Sequence, residues 1–290
     1  MTLREAYDKG IERLALSGVE EASLDAWYLL EYVTGVSRAS FLADQKRELD
    51  KTSYQRYKEL ILERAKRIPL QHLTGEQEFM GLPFYVNEHV LIPRQDTEVL
   101  VELALEEIKK MESVRVLDMC TGSGCILLST LYYGREKHRM EGTGVDVSLE
   151  ALKVAKQNAD KLQIEAEFLE SDLFSNVFGM YDLILSNPPY IPSAVIETLQ
   201  PEVKEHDPIL ALDGKEDGLY FYRKIIEESR AYLKSGGKLI FEIGHDQGEA
   251  VSAYMVEQGF HHVRVKKDLA GLDRVVFGVY DTFEGQKSDD

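Results

Sequence analysis

Asp182-Leu183-Ile184-Leu185-Ser186-Asn187-Pro188-Pro189-Tyr190 is the stretch around which the rest of the chain is organised. Leu183, Ile184 and Leu185 form a short apolar run of the kind that makes a buried parallel strand. Pro188 has no N–H for a ladder, and each proline disfavours the α region in the residue before it, so the strand ends abruptly. A stiff extended loop follows at the strand's C-terminal end, where open α/β sheets bind ligands. The loop offers a side-chain amide at Asn187, main-chain carbonyls without ladder partners, and the ring of Tyr190. An amide oxygen and a carbonyl oxygen hold a planar –NH2 group by its two hydrogens, and a ring covers one of its faces. Taken alone, the motif is equally an ordinary strand exit with a proline turn. Its context decides.

The chain has 290 residues, enough for one large or two modest domains with a buried core. Hydrophobic residues make up 44% and charged residues 29%, as in a soluble globular protein. A net charge of −17 argues against a general grip on phosphate backbones, which needs clustered Lys and Arg. With only Cys120 and Cys125 there is no disulfide framework, and a reducing cytoplasm is the expected setting. The N-terminus has no signal-peptide apolar stretch, and no run is long enough to span a membrane.

Residues 1–75 read as a small helical domain. Thr2 and Glu5 have capping-box spacing, and Leu3, Tyr7, Ile11 and Leu14 follow at helical intervals. A second helix is expected at 24–32, stopping near Gly35. A third is expected at 52–67, opening on a box of Thr52 and Gln55 and stopping before Pro69. Trp27, Tyr28, Tyr54 and Tyr57 fit core or interdomain packing rather than a cofactor pocket. Residues 76–95 read as a linking β-hairpin, after which Asp96 is expected to cap a helix.

From Val114 the pattern turns to strand–helix alternation, the signature of a doubly wound, mostly parallel sheet. Strands are expected at 115–119, 143–147, 166–169, 182–186 and 238–243, with an antiparallel edge hairpin at 262–266 and 274–279. Helices fit 126–133, 148–158, 219–233 and 247–258. The domain runs over 96–283, and the polar tail 284–290 is expected to be disordered.

Asp118-Met119-Cys120-Thr121-Gly122-Ser123-Gly124 closes the first strand and opens a helix. Its glycines let the backbone approach a ligand and aim N–H groups at it. The loop lacks the spacing of a dinucleotide fingerprint and of a P-loop. Asp146 ends the second strand, where an acidic side chain takes ribose hydroxyls. Asp172 follows the third, where a carboxylate accepts from an adenine amino group, and Asn187 ends the fourth. Singly, each acid is an ordinary loop or helix cap; together with the glycine loop they line one crevice. Without Lys or Arg in that loop, the ligand is better a nucleoside lacking phosphates. S-adenosylmethionine fits, its sulfonium favoured by an acidic pocket.

The combination of Asp118 with Thr121-Gly122-Ser123-Gly124, the acidic strand end, Ser171-Asp172-Leu173-Phe174 and Asn187-Pro188-Pro189-Tyr190-Ile191-Pro192 resembles a class I methyltransferase. Pro69-Leu70-Gln71-His72-Leu73-Thr74-Gly75, Leu91-Ile92-Pro93-Arg94 with Asp96-Thr97-Glu98, and Asp217-Gly218-Leu219 resemble more closely the bacterial release factor glutamine N-methyltransferases, over essentially the whole chain. The resemblance implies methylation of the side-chain amide of the Gly-Gly-Gln glutamine in peptide chain release factors. It also implies a Rossmann-like fold behind a helical substrate-recognition domain, and S-adenosylmethionine as donor. The resemblance places Cys120, Thr121, Gly122, Ser123, Gly124, Asp118, Asp146, Asp172, Leu173 and Asn187 at the cofactor. Asn187, Pro188, Pro189, Tyr190 and Arg94 fall at the substrate. Cys120 stands for a frequent glycine, Gln95 for a frequent proline, and His206-Asp207-Pro208 for a usual Glu-Pro.

An amide nitrogen is a poor nucleophile and a sulfonium methyl is already activated, so the task is mostly alignment. Asn187 Oδ1 and the Pro188 carbonyl are expected to accept the two substrate N–H groups, with Tyr190 over one face and no dedicated base. Arg94 either positions substrate backbone or pairs with acidic surface. His245 is read as a solvated turn residue, and no metal is expected. The chain is expected to be a monomer without stable nucleic acid. Two rivals remain: an amino-methyltransferase of adenine or guanine in RNA or DNA, and a silent cofactor-binding module.

Overall fold

The computed structural model of the chain describes residues 1–109 and 111–281. The tail expected at 284–290 lies outside the described residues. The chain divides into two compact units: Met1–Glu76 with Gln200–His206, and Gln77–Leu199 with the chain from Asp207 onward.

The first unit contains α1 (Leu3–Leu16), α2 (Ala22–Thr34), α3 (Arg38–Ala43), α4 (Lys51–Arg64) and α5 (Leu70–Thr74). The capping box of α1 is formed: Thr2 Oγ1 accepts from the Glu5 N–H at 3.2 Å, and Glu5 accepts from the Thr2 N–H at 2.9 Å. Gly35 closes α2 in the left-handed region. The third expected helix starts and stops elsewhere. Asp50, not Thr52, is its cap, because the Asp50 carboxylate accepts from the Ser53 N–H at 2.9 Å. The helix ends at Arg64, and Arg67 takes a left-handed turn (φ 70°) ahead of Pro69. Tyr7, Trp27 and Phe41 pack with ring centroids 5.2–6.3 Å apart in the core, and Tyr57 is buried beside them. Tyr28 is 45% exposed, so for this aromatic the packing expectation fails.

A two-stranded hairpin, β1 (Glu76–Phe79) and β2 (Leu82–Tyr85), lies in the second unit from Gln77 onward and turns through Met80-Gly81. Strand pairing ends at Tyr85; Val86, Val90 and Ile92 continue as buried loop residues. A 3₁₀ turn, Gln95–Thr97, leads into α6 (Glu98–Glu107). Asp96 does not cap it. Its carboxylate pairs with Arg274 at 3.2 Å, and Thr97 holds the cap position without a side-chain bond.

The seven-stranded sheet consists of β3 (Ser113–Met119), β4 (Arg139–Asp146), β5 (Glu167–Glu170), β6 (Tyr181–Ser186), β7 (Leu233–Glu242), β8 (His261–Lys267) and β9 (Asp273–Tyr280). Its order is β5-β4-β3-β6-β7-β9-β8, parallel throughout except where β9 runs antiparallel to β7 and β8. The remaining helices are α7 (Cys125–Gly134), α8 (Leu149–Leu162), α9 (Ser193–Ile196), α10 (Pro201–His206), α11 (Ile209–Leu212), α12 (Tyr220–Ser229) and α13 (Gly248–Glu257). α12 is shorter than the expected 219–233, because Leu233 already belongs to β7.

The sheet is covered on both faces, which is why β6 is a continuous apolar run. Leu183 and Leu185 join a core with Leu100, Ala104, Leu127 and Ala155, whereas Ile184 faces Tyr222, Ile225, Val251 and Met255. Asn158 fastens the hairpin to the glycine loop. Its amide donates to the Ser123 carbonyl at 2.9 Å and the Tyr85 carbonyl at 3.0 Å, and its Oδ1 accepts from the Tyr85 N–H at 2.7 Å.

Helix α10 belongs to the first unit although its flanks belong to the second. Glu202 accepts from Arg64 at 2.9 Å and also from Arg67, while Arg64 Nε donates to Asp25 at 2.7 Å. Burial pulls the Glu202 carboxyl up, but the hydrogen bonds from Arg67 and Arg64 outweigh it and hold it at about 2.

Ile184 is fully buried in the centre of the sheet. Ile184→Ala is expected to cost roughly 2–5 kcal/mol in urea denaturation followed by circular dichroism. A loss well below that range would mean the second core is not closed over β6.

Candidate active site

The C-terminal ends of four parallel strands share one row. Met119 pairs with Val145 and Ser186, and Ser186 pairs with Phe241. Cys120, Asp146, Asn187 and Glu242 are the next residues of β3, β4, β6 and β7, so they form a second row just beyond it. Ser186 locks the register from its side chain by donating to the Met119 carbonyl at 2.7 Å. A cavity of about 290 Å³ opens over these strand ends.

The glycine loop forms one wall. Cys120, Thr121, Gly122 and Ser123 line the cavity, while Gly124 starts α7 behind them. Cys120 takes φ 60°, a left-handed conformation that glycine adopts without strain. Gly122 (φ 54°) has open space where a Cβ would be, so its main chain faces the cavity bare. Asp118 lies fully buried beneath the loop. The Thr121 hydroxyl donates to its Oδ2 at 2.6 Å, but its Oδ1 has no hydrogen-bond partner. Burial pushes its carboxyl up to about 7, and the nearby Asp146 charge adds to that.

Asp146 and Asp172 stand on the adjoining walls. Asp146 accepts from the Gly122 and Ser148 N–H groups, each at 2.9 Å, while burial raises its carboxyl above the ordinary range. Each carboxylate oxygen has a second lone pair, so capacity for a further hydroxyl remains. Leu173, also on the wall, is held at φ 48° by the turn that follows Asp172.

The strand-end loop divides. Asn187 and Pro189 line the cavity. Pro188 is buried, and the Tyr190 ring packs on the core beside Tyr222. Burial, together with the Glu242 charge, pushes the Tyr190 phenol up to about 12. The Tyr190 carbonyl accepts from Gln247 Nε2 at 3.0 Å, which also donates to the Gly218 carbonyl at 3.3 Å. A Cβ on Gly218 would meet the Tyr190 carbonyl oxygen at 2.3 Å, so only glycine allows this approach. Arg94 lines the cavity and donates to Asp207 at 2.9 Å, so its guanidinium has a carboxylate partner and stays 45% exposed. His245 is exposed in its turn. Among the described residues no cluster of three His, Cys, Asp or Glu is placed to hold a metal.

Several wall residues carry no periodic signal, although Leu91, Pro93, Thr97 and Pro208 lie in stretches compared above with the family pattern. Leu91, Pro93 and Thr97 come from the segment after the hairpin, and Pro208, Leu210 and Phe221 from the segment after Tyr190. These stretches are too short for a period to show. Glu242 had a signal that sequence reading passed over: a charged residue closing the apolar run Leu239-Ile240-Phe241. Burial pushes its carboxyl up to about 7, against the pull of Thr97 and Arg274.

A ligand for this cavity has to suit an acidic wall where Arg94 is the one Lys or Arg. The Asp146 and Asp172 carboxylates and a bare glycine backbone suit a cationic nucleoside rather than a phosphate. The residues present therefore fit S-adenosylmethionine.

The geometry agrees with comparisons to known proteins. A family described as PrmC N-terminal domain matches residues 5–75, and one described as Methyltransferase small domain matches residues 95–202. The release factor glutamine methyltransferase of Caulobacter vibrioides is 40% identical over 98% of this chain and 98% of its own. That of Moorella thermoacetica is 42% identical over 94% of this chain and 97% of its own. A methyltransferase from Pyrococcus furiosus shares the fold, with a TM-score of 0.51 at 15% identity over 70% of this chain and 91% of its own.

Asp118 gives a pH test. The groups that face it are the Thr121 hydroxyl, the Asp146 carboxylate and the Cys120 and Cys125 thiols. Its folded value near 7 exceeds the ordinary 3.8, so the folded chain binds the proton more tightly than the unfolded one. Its stabilising contribution is complete below 3.8 and is lost as pH rises through about 7. Asp118→Asn cannot ionise. Urea unfolding of the ligand-free protein should fall less steeply with rising pH across that window in Asp118→Asn than in wild type; parallel slopes would contradict the assignment.

Proposed function

The chain belongs to the release factor glutamine methyltransferase family, which moves a methyl group from S-adenosylmethionine to a glutamine side-chain amide of peptide chain release factors, and we propose that the 187–190 loop is where that amide is held. The carrying observation is Asn187, presented at the strand end on the wall that also holds Asp146 and Asp172. The alternative of a nucleobase amino group as substrate is disfavoured by the family and by a net charge of −17.

S-adenosylmethionine, when bound, supplies an activated sulfonium methyl. Asp146 would take ribose hydroxyls, Asp172 and Leu173 the adenine, and Asp118 with the 120–124 backbone the amino-acid end. Asn187 Oδ1 and the Pro188 carbonyl accept the two N–H groups of the substrate amide. This fixes the amide plane and adds electron density to the nitrogen, which is the alignment the reaction needs. Tyr190 contributes through its main chain, which Gln247 anchors, and its ring braces the loop from the core side. Arg94 and Asp207 shape the wall on the side where the rest of the substrate would lie.

Residues 1–75 serve recognition in this reading, with 76–95 as the link to the methyltransferase domain at 96–283. Support comes from α2: Leu24, Tyr28 and Tyr32 recur every fourth residue and are 45%, 45% and 52% exposed. The chain would work as a monomer without stable nucleic acid, in the cytoplasm where release factors act. Among the described residues no helix is long and apolar enough to cross a membrane.

Asp146→Ala should weaken cofactor binding in calorimetry, because ribose contacts exist in ground and transition states alike. Asn187→Ala should instead lower the single-turnover rate at saturating cofactor by on the order of 10²-fold. Wild-type rates in Asn187→Ala would sink the amide-holding role. For recognition, Tyr28→Ala with Tyr32→Ala should raise KM for an intact release factor and spare kcat. An unchanged KM would count against the α2 face.

A further inference from the structure

The reaction as described needs Asn187 to present its oxygen, and not its –NH2, to the substrate. A side-chain amide has nearly the same shape either way round, so something must choose between the two orientations. Presented the wrong way, two donors would face two donors.

Glu242 occupies the position that makes this choice. Ser186 pairs with Phe241 across β6 and β7, so the next residues along, Asn187 and Glu242, lie side by side at the strand ends. Glu242 is 2% exposed, and its carboxylate lies within hydrogen-bonding reach of the Asn187 side chain and of Thr97. Its Oε2 has no hydrogen-bond partner. Its main chain is immobilised by pairing with Val275 on β9 and by the Tyr222 hydroxyl, which donates to its carbonyl at 2.9 Å. Arg274, which could have neutralised it, is already engaged by Asp96 at 3.2 Å and Asp268 at 2.9 Å. In its ionised form the Glu242 carboxylate accepts and never donates. Its donors are the Thr97 hydroxyl and the Asn187 –NH2, and Asn187 can serve it only through that –NH2.

We propose that Glu242 is a positioning residue for Asn187: its carboxylate accepts from the Asn187 Nδ2–H and so turns Oδ1 toward the substrate amide. Glu242 is not on the cavity wall. It acts through Asn187 and touches neither substrate nor cofactor. The inference rests on the reading that Asn187 holds the substrate amide.

The test is a double-mutant cycle in the full chain. Single-turnover methylation of a release factor is measured at saturating cofactor for wild type, Asn187→Ala, Glu242→Leu and the double variant. Calorimetry supplies the cofactor Kd, and circular dichroism reports folding. Glu242→Leu should lose about tenfold or more in rate with its cofactor Kd unchanged. In the Asn187→Ala background the same substitution should cost nothing further, because a residue acting only through Asn187 has nothing left to orient. Glu242→Gln keeps the shape and one acceptor oxygen and should recover severalfold of the lost rate. If Glu242→Leu does not fold, Glu242→Gln enters the cycle instead, with an expected loss of about threefold.

A wild-type rate in folded Glu242→Leu overturns the proposal while leaving the Asn187 role standing. So does a full additional loss in the double variant, which would place Glu242's effect elsewhere. A wild-type rate in Asn187→Ala overturns both together.

Discussion

Met119, Val145, Ser186 and Phe241 stand in one hydrogen-bonded row across four parallel strands, and the site depends on the register of that row. Side chains alternate between faces along a strand, so a slip of one residue would send each member of the next row to the wrong side. That row is Cys120, Asp146, Asn187 and Glu242. It gathers a tight turn, two carboxylates and a side-chain amide at one end of the sheet. Apolar cores on both faces of β6 hold the register, and the prolines after Asn187 stop the strand before another ladder bond can form.

The same arrangement explains why the site is electrostatically strained. Asp118 and Glu242 are buried with carboxyls near 7, and Asp146 is raised as well. Burial opposes the charged form in each case, and hydrogen bonds from Thr121, Gly122 and Ser148 offset it only in part. Apolar residues in these places would make a more stable fold. A wall of carboxylates becomes favourable when a cation lies against it, which is the charge type of a sulfonium donor. The destabilisation is local to the ligand site, as expected where function and stability compete.

Most of the sheet was legible in the sequence because its strands are apolar runs bounded by acids, glycines and prolines. The acidic strand ends and the glycine loop pointed to the crevice for the same reason: each marks where a strand stops. What was not legible had weak or misleading local signals. Thr52 and Gln55 imitate a capping box, but Asp50 lies two residues earlier and its carboxylate takes the Ser53 N–H first. Asp96 has the look of a cap, yet a tertiary partner, Arg274, claims it. Helices α9, α10 and α11 span four to six residues, too few to show a period. Within the site, no sign in the sequence showed that Tyr190 also packs against the core or that Gln247 donates to its carbonyl. These are contacts between segments far apart in sequence, and no pattern within a single segment reports them.

The central claim is that a strand-end amide and the adjacent carbonyl hold the substrate's –NH2 by its two hydrogens. The most direct measurement is a crystal structure of the enzyme with demethylated cofactor and a release-factor fragment carrying the target glutamine. The account predicts the glutamine amide nitrogen at hydrogen-bond distance, about 2.7–3.2 Å, from both Asn187 Oδ1 and the Pro188 carbonyl. It also predicts the Asn187 –NH2 turned toward Glu242. A glutamine held by other groups, or an Asn187 with its nitrogen toward the substrate, would contradict it.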